Sequence, residues 1–150
     1  MALKPTGLLT VKKLAINAER KEAVRLAECM RRAEEKKAKL GELEGYLKEY
    51  TGALLTRGEQ GLSVLELQGR HAFMAQINAV IIQQQSVVAA AQHQVDECRQ
   101  RWFQAKRKAD GISDLILRKE QDLNQLEDKR TQQLIDELSA QRWSRNKPME

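Results

Sequence analysis

The side chains of this sequence that best suit metal binding or nucleophilic and acid–base catalysis are two histidines and two cysteines, His71, His93, Cys29 and Cys98. Neither histidine has a second histidine or a cysteine three or four residues away, the spacing that would place two ligands on one face of a helix. Both cysteines fall within apolar patterns, where a thiol packs as a small apolar group. The sequence therefore predicts no metal site.

Other catalytic arrangements are also missing from the sequence. Carboxylates are numerous, but they stand beside lysines and arginines, as in residues 34–37 (Glu-Glu-Lys-Lys), where ion pairs between neighbouring turns of a helix explain them. The pair Gly58 and Gly61 is not followed by the Lys-Ser or Lys-Thr of a phosphate-binding loop. We expect no enzymatic activity, no cofactor and no small-molecule ligand.

The elements that carry these residues are two long stretches in which seam residues recur at alternating steps of three and four. This period near 3.5 places each set on one narrow stripe of a helix, which is the seam of a coiled coil. Upstream the seam comprises Leu26, Cys29, Ala33, Lys36, Leu40, Leu43, Leu47, Tyr50 and Leu54. Downstream it comprises Ile77, Ile81, Gln84, Val88, Ala91, Val95, Cys98, Trp102, Ala105, Ala109, Ile112, Ile116, Lys119, Leu123 and Leu126.

A sharp break at residues 56–63 separates the two stretches. Two glycines there, Gly58 and Gly61, supply backbone conformations that a helix cannot adopt, so the chain can fold back on itself. Ser63 and Glu66 fit a capping box at the start of the next helix. We predict an all-α protein, a single antiparallel coiled-coil hairpin over residues 1–140. Its first helix covers about 7–55, the turn 56–63 and the second helix about 64–140, followed by a disordered basic tail over 141–150.

This turn also predicts which residues face each other. With the turn centred near residue 60, residue i faces roughly residue 120 − i. Cys29 then faces about residue 91, which leaves Cys98 roughly 10 Å away and too far for a disulfide. We expect two buried, reduced thiols, as in a cytosolic protein. Beyond about residue 112 the second helix has no partner, so its apolar stripe stays uncovered: Leu115, Leu123, Leu126, Leu134, Ile135 and Leu138.

Composition agrees with a thin coiled coil, since aromatic residues make up 4% and charged residues 31% of the chain. Basic charge is concentrated towards the termini. Residues 1–40 carry 11 basic and 5 acidic side chains, residues 41–100 carry 4 and 7, and residues 101–150 carry 11 and 9. In an antiparallel hairpin both termini lie at the same end, which is therefore basic. This end is either a solubilising surface or a docking surface for an acidic partner.

Nucleic-acid binding is a weaker interpretation of the same charge. Residues 101–108 mix basic and aromatic side chains, but Trp102 falls on the seam, where it packs in the core and is unavailable for base stacking. Elsewhere acidic residues are interleaved with the basic ones, so we expect no nucleic-acid partner. No apolar run reaches the roughly 20 residues that span a bilayer. We expect a soluble, cytoplasmic protein.

Several residues around the turn and late in the second helix carry a family resemblance. They are Tyr46, Tyr50, the Arg57-Gly58-x-x-Gly61 turn, Phe73 with Ile77, Trp102, and the run 128–137 (Asp-Lys-Arg-x-x-Gln-Leu-Ile-Asp-Glu). In this spacing the chain resembles the FliJ family of flagellar type III export proteins over nearly its whole length. The resemblance implies a non-enzymatic stalk, an antiparallel coiled coil similar to the γ shaft of rotary ATP synthases.

The resemblance also implies partners. The end that bears the termini would enter the pore of the hexameric export ATPase (FliI), whose regulator is FliH. The hairpin nearer the turn would contact the linker of the export gate protein (FlhA), and export chaperones would bind as well. The protein would then lie in the cytoplasm, peripherally attached to the inner membrane at the flagellar base. The gate contact carries over to Lys39, Leu43, Tyr46, Tyr50, Phe73, Ile77, Val80 and Gln84. The ring contact at the basic end would use Lys12, Lys13, Arg20, Lys106, Arg107 and Lys108.

Two other functions use the same seams. One is the equivalent stalk of a virulence-type type III secretion system, which sequence physics does not separate from the flagellar branch. The other is a generic coiled-coil scaffold or homodimer, which would be about twice as long in solution as a hairpin if it formed an extended parallel dimer.

Overall fold

The computed structural model describes residues 5–59 and 61–146, which form two long helices. Helix α1 comprises Pro5–Glu59 and helix α2 comprises Val64–Arg145. The two prolines of the chain, Pro5 and Pro148, lie near its ends, so no proline interrupts either helix. Pro5 is the first residue of α1, where a missing N–H breaks no helical hydrogen bond. The all-α hairpin that the heptad patterns predict is confirmed.

The chain divides into two units, which we call the turn unit, residues 18–105, and the terminal unit, residues 1–17 and 106–150. In the turn unit the buried residues come from both helices, and Leu54, Ile77, Ile81 and Val95 are each less than one-tenth exposed. All the predicted seam residues of this unit are buried or half-buried, except Lys36, which is exposed. The predicted seam is therefore the packing interface of the turn unit.

Among the described residues of the terminal unit, the buried ones are Leu8 and Ala15 of α1 and Ala109 and Ile116 of α2. Burial ends close to Lys119, which is half-buried, and every described residue from 120 to 146 is exposed. The end of the seam agrees with the expectation that α1 is too short to cover the later part of α2. The uncovered stripe nevertheless remains helical.

The predicted turn of eight residues is wrong in length. Helix α1 continues through Glu59, so that Thr56, Arg57 and Gly58 are helical. The Thr56 hydroxyl donates to the carbonyl of Gly52 at 3.1 Å, and Arg57 lies in the last turn, where a cation is favoured by the helix dipole. Among the described residues only Gly61 adopts a positive φ, 85°, and its N–H donates to the carbonyl of Gly58 at 3.3 Å. One glycine, not two, makes the reversal.

The predicted ends of α2 are right at one end and wrong at the other. The helix begins at Val64, and the Ser63 hydroxyl accepts a hydrogen bond from the Glu66 N–H at 3.2 Å, as in a helix cap. The predicted disordered tail is wrong for 141–145, which are helical, while 147–150 lie outside the described residues. The helix continues because residues 141–147 contain neither proline nor glycine. Arg142 and Arg145 also complement the dipole of its last turn.

The predicted separation of the two cysteines is also wrong. The sulfur atoms of Cys29 and Cys98 lie 2.6 Å apart, and both residues are free thiols that are half-buried. Cys29 therefore meets a residue seven positions beyond the one that the 120 − i register assigns to it. The register itself holds nearby, where Gln84 donates to the carbonyl of Lys36. The error arises because each side chain leans towards the N-terminus of its own helix, so that in an antiparallel pair the two thiols approach each other along the seam.

Candidate functional site

A shallow groove on the turn unit contains exposed aromatic and apolar side chains from both helices. We call it the aromatic groove, and it is lined by Leu43, Tyr46, Phe73, Gln76, Ile77 and Val80. The α2 members are spaced by three, four and seven residues, which places them on one helical face. The α1 members are three residues apart, so they also share a face. The heptad geometry thus brings the two short rows together beside the seam.

The groove has a buried floor and an exposed rim. Ile77 is 7% exposed and forms part of the core, whereas Tyr46 is 53% exposed and Val80 is 47% exposed. Phe73 is fixed by an edge-to-face contact with Tyr50, with the ring centroids 5.0 Å apart and the planes at 63°. Because Tyr50 is half-buried, it holds the Phe73 ring from the seam side. The exposed rim therefore rests on side chains that are held in place by packing.

The eight residues of the expected gate contact do not all share this position. Leu43, Tyr46, Phe73, Ile77 and Val80 line the groove, and Tyr50 supports it. Two others lie elsewhere. Lys39 is exposed on α1, while Gln84 is 8% exposed and its Nε2 donates to the backbone carbonyl of Lys36 at 3.0 Å. In this structure Gln84 is a seam residue that joins the two helices.

Gln76 belongs to the groove although the sequence analysis did not select it. It lies three residues after Phe73 and four before Val80, the spacing of neighbours on one helix face. Extending the face from the two selected apolar residues would have found it. It was missed because the selection followed the family resemblance.

The six residues of the expected basic end are divided between the two units. Arg20 belongs to the turn unit, and the others belong to the terminal unit. Lys12 is half-buried and Arg20 is exposed, as are the remaining four, Lys13, Lys106, Arg107 and Lys108. Lys106, Arg107 and Lys108 are consecutive on α2, so they point in different directions around the helix. The terminal unit therefore carries basic charge on more than one face.

Trp102 has a structural position in the seam of the turn unit. It is half-buried, and its indole Nε1 donates to Glu19 Oε1 on α1 at 2.8 Å. A buried tryptophan usually finds such a partner for its N–H. This position is the one expected from the seam pattern, and the hydrogen bond to Glu19 joins the two helices.

Groups that could support catalysis are sparse in the part of the chain that the structure describes. No three histidine, cysteine or carboxylate side chains there lie close enough to hold a metal ion. His93 lies on an exposed face, where its Nε2 is 3.3 Å from Glu97 Oε1 one turn later. None of the described helices is long and apolar enough to cross a membrane.

Comparison with known families agrees with this architecture. The family model described as flagellar FliJ protein matches residues 5–148, nearly the whole chain. No curated protein and no solved structure matches it. The match covers both helices, the aromatic groove and the uncovered part of α2. The chain therefore belongs to the flagellar FliJ protein family, whose members are components of the flagellar export apparatus.

Proposed function

We propose that this protein is the stalk that links the export ATPase ring (FliI) to the export gate (FlhA), with the aromatic groove as the gate-binding surface. The observation that carries the proposal is the groove itself. Its rim exposes Tyr46, Phe73 and Val80 in a chain that has only 4% aromatic residues. Tyrosines and other large side chains on a fixed support are typical of the few residues that dominate a protein interface.

The rest of the groove fits this role. Ile77 forms the floor from within the core, and Tyr50 holds Phe73 by an edge-to-face contact. A preformed surface loses little side-chain entropy on binding, so more of its apolar burial contributes to affinity. Leu43 and Gln76 complete the lining, and the exposed Lys39 adds a charge on α1 that a polar or acidic partner segment would meet.

For the ATPase ring we propose contact through the basic residues of the terminal unit. A shaft that turns or shifts within a ring requires contacts that are weak and exchange readily. Exposed ion pairs meet this requirement, since each contributes about 1 kcal/mol or less and is screened by salt. Five of the six basic residues of the expected ring contact belong to this unit. Together they can attract and centre an acidic pore without locking in one position.

The regulator FliH and the export chaperones are further proposed partners, on the basis of family membership. They would bind the uncovered stripe of α2, because Leu134, Ile135 and Leu138 are each at least half exposed. Through these partners the protein would act at the cytoplasmic face of the inner membrane, at the flagellar base. The virulence-type stalk is the less favoured alternative, since the matching family is the flagellar one.

The gate contact is tested by Tyr46→Ala, with Ile82→Ala as the matched control. Ile82 is 66% exposed in the same unit and is not part of the groove lining. Truncating a central aromatic residue of an interface costs about 2 kcal/mol, which is roughly a 30-fold loss of affinity. We expect Tyr46→Ala to show this loss of affinity for the purified FlhA cytoplasmic region and Ile82→Ala to bind it as wild type does. The melting temperature should be unchanged in both variants. Equal affinity of Tyr46→Ala and wild type would refute the groove as the gate-binding surface.

A further inference from the structure

Cys29 of α1 and Cys98 of α2 form a pair of thiols across the seam of the turn unit. Their sulfur atoms are 2.6 Å apart, although the two residues are 69 positions apart in the sequence. Both cysteines are free and half-buried, so the pair is reached by small solutes and is also held by packing. Stalk function as proposed above gives these two side chains no role.

We propose that Cys29 and Cys98 are a reversible modification site, a dithiol that low-molecular-weight disulfides such as glutathione disulfide oxidise to an interhelical disulfide. A disulfide bond is about 2.05 Å long, so the sulfurs need to approach by only about half an ångström. Small rotations about the two Cα–Cβ bonds supply this movement. The residues lie on opposite helices, and the bond would therefore join α1 to α2 covalently.

The reaction balances as two successive thiol–disulfide exchanges. One cysteine thiolate attacks a sulfur of glutathione disulfide, which forms a protein–glutathione mixed disulfide and releases the first glutathione thiolate. The second cysteine then attacks the protein sulfur of that mixed disulfide and displaces the second glutathione. The protein loses two protons and two electrons, and the oxidant gains them as two thiols. Excess reduced glutathione or dithiothreitol reverses both steps.

The surroundings of the pair set its reactivity. A hydrogen bond with Cys29, burial and the charge of Cys29 raise the pKa of Cys98 above its ordinary value of 9.0. Glu22 of α1 acts in the same direction, and Arg101 of α2 opposes it. Since the thiolate is the nucleophile, Cys98 reacts slowly at neutral pH. Attack by Cys98 is therefore faster at mildly alkaline pH, where more of its thiolate is present.

The bond would stabilise the part of the hairpin that contains the aromatic groove. The covalent loop between Cys29 and Cys98 encloses the groove residues, from Leu43 to Val80, and the turn. The seam within this loop is thin, because Leu40, Leu43 and Leu47 are only half-buried. A thin seam opens at low cost, so a cross-link there suppresses local separation of the helices. The inference concerns the isolated chain and does not depend on the identity of the partners.

The test uses the full-length protein, incubated with glutathione disulfide at mildly alkaline pH. We expect a monomer whose intact mass falls by two hydrogen atoms, with Cys29 and Cys98 linked in one disulfide-containing peptide pair. Closing a loop of this size should raise the melting temperature by about 10 °C, reversibly with dithiothreitol. The variants Cys29→Ser and Cys98→Ser should each stop at the glutathione adduct and show no such rise.

Folding must be what brings the thiols together. In denaturing urea the wild-type chain should therefore accumulate glutathione adducts in place of the internal bond. Three results would overturn the inference: adducts on both cysteines of the native protein, disulfide-linked dimers as the main product, or an internal disulfide without a rise in melting temperature.

Discussion

Gln84→Leu is a substitution that separates a seam role from a partner-binding role. Gln84 is 8% exposed, and its Nε2 donates to the backbone carbonyl of Lys36 at 3.0 Å. Lys36 lies within α1, so its carbonyl also accepts the helical hydrogen bond from Leu40. Removing the glutamine amide therefore leaves that carbonyl with a partner. The usual penalty for a buried unsatisfied group does not apply.

The magnitude follows from two opposing contributions. The lost hydrogen bond contributes about 1 kcal/mol net. Leucine at a nearly buried seam position gains about 2 kcal/mol from burial of its side chain. We expect Gln84→Leu to raise the free energy of unfolding by about 1 kcal/mol, equivalent to roughly 3 °C in melting temperature. Gln84→Ala loses the bond and most of the packing, and should lower that free energy by about 2 kcal/mol.

Two measurements are needed, urea unfolding followed by circular dichroism and binding to the FlhA cytoplasmic region. Family resemblance assigns Gln84 to the gate contact, whereas its burial assigns it to the seam. If Gln84 acts only in the packing of the two helices, the Gln84→Leu variant should bind FlhA with wild-type affinity. Lys39→Ala is the control at an exposed position, since Lys39 also belongs to the expected gate contact. This substitution should lower the affinity for FlhA without changing the stability.

Two outcomes would refute this reasoning. A destabilisation of more than about 1 kcal/mol by Gln84→Leu would mean that the bond to Lys36 outweighs apolar burial, as for a polar group that specifies register. An affinity loss of about tenfold at unchanged stability would mean that Gln84 touches the gate protein directly.

The remaining predictions concern the core, the basic residues and Cys98. Val95→Ala, at a side chain that is 3% exposed, should cost about 2 kcal/mol in urea unfolding, whereas Ile82→Ala should cost less than about 0.5 kcal/mol. Folding raises the pKa of Cys98 above its ordinary value of 9.0, so above that pH the folded protein keeps a proton that the unfolded chain loses. The free energy of unfolding of the reduced protein should therefore fall as the pH rises above 9.0, and it should fall less in the Cys98→Ser variant. Reversal of four lysines to glutamate should weaken binding of the protein to the ATPase ring and lower the ATP hydrolysis that the protein stimulates, most strongly at low salt. The four are Lys12, Lys13, Lys106 and Lys108. Normal binding of this variant at low salt would contradict the ring contact.

The seam was predictable because its signal is periodic and repeated. Every predicted seam residue of α2 from Ile77 to Lys119 is buried or half-buried, including the polar Gln84. A stripe with a period near 3.5 faces a partner helix whichever residues stand opposite, so its assignment needs no register. That burial would end part-way along α2 was also predictable, since the shorter first helix leaves the later part of α2 without a partner. In the structure burial ends near Lys119.

The helix ends and the groove were less accessible to sequence reasoning. Thr56, Arg57 and Gly58 resemble a turn, but a glycine near a helix terminus is tolerated when the residues before it favour continuation. Which glycine adopts positive φ depends on where the second helix must start, and that is a tertiary constraint. The rim of the groove depends on side chains that flank the seam, so heptad periodicity alone does not distinguish Gln76 from its exposed neighbours.

The cysteine pair shows the limit of register prediction in a hairpin. A mirror centred on residue 60 brings Tyr50 close to Phe73, and these two rings are in contact. The same mirror assigns about residue 91 to Cys29, whereas the observed partner is Cys98. The mirror itself is well placed, because it pairs Gln84 with Lys36, and these two residues are joined by a hydrogen bond. Seam residues also alternate every three or four positions, so each side chain has candidate partners one turn before and one turn after. A register known to within a turn predicts which residues are in the core. It does not predict which two of them touch, and a thiol pair requires that second level of precision.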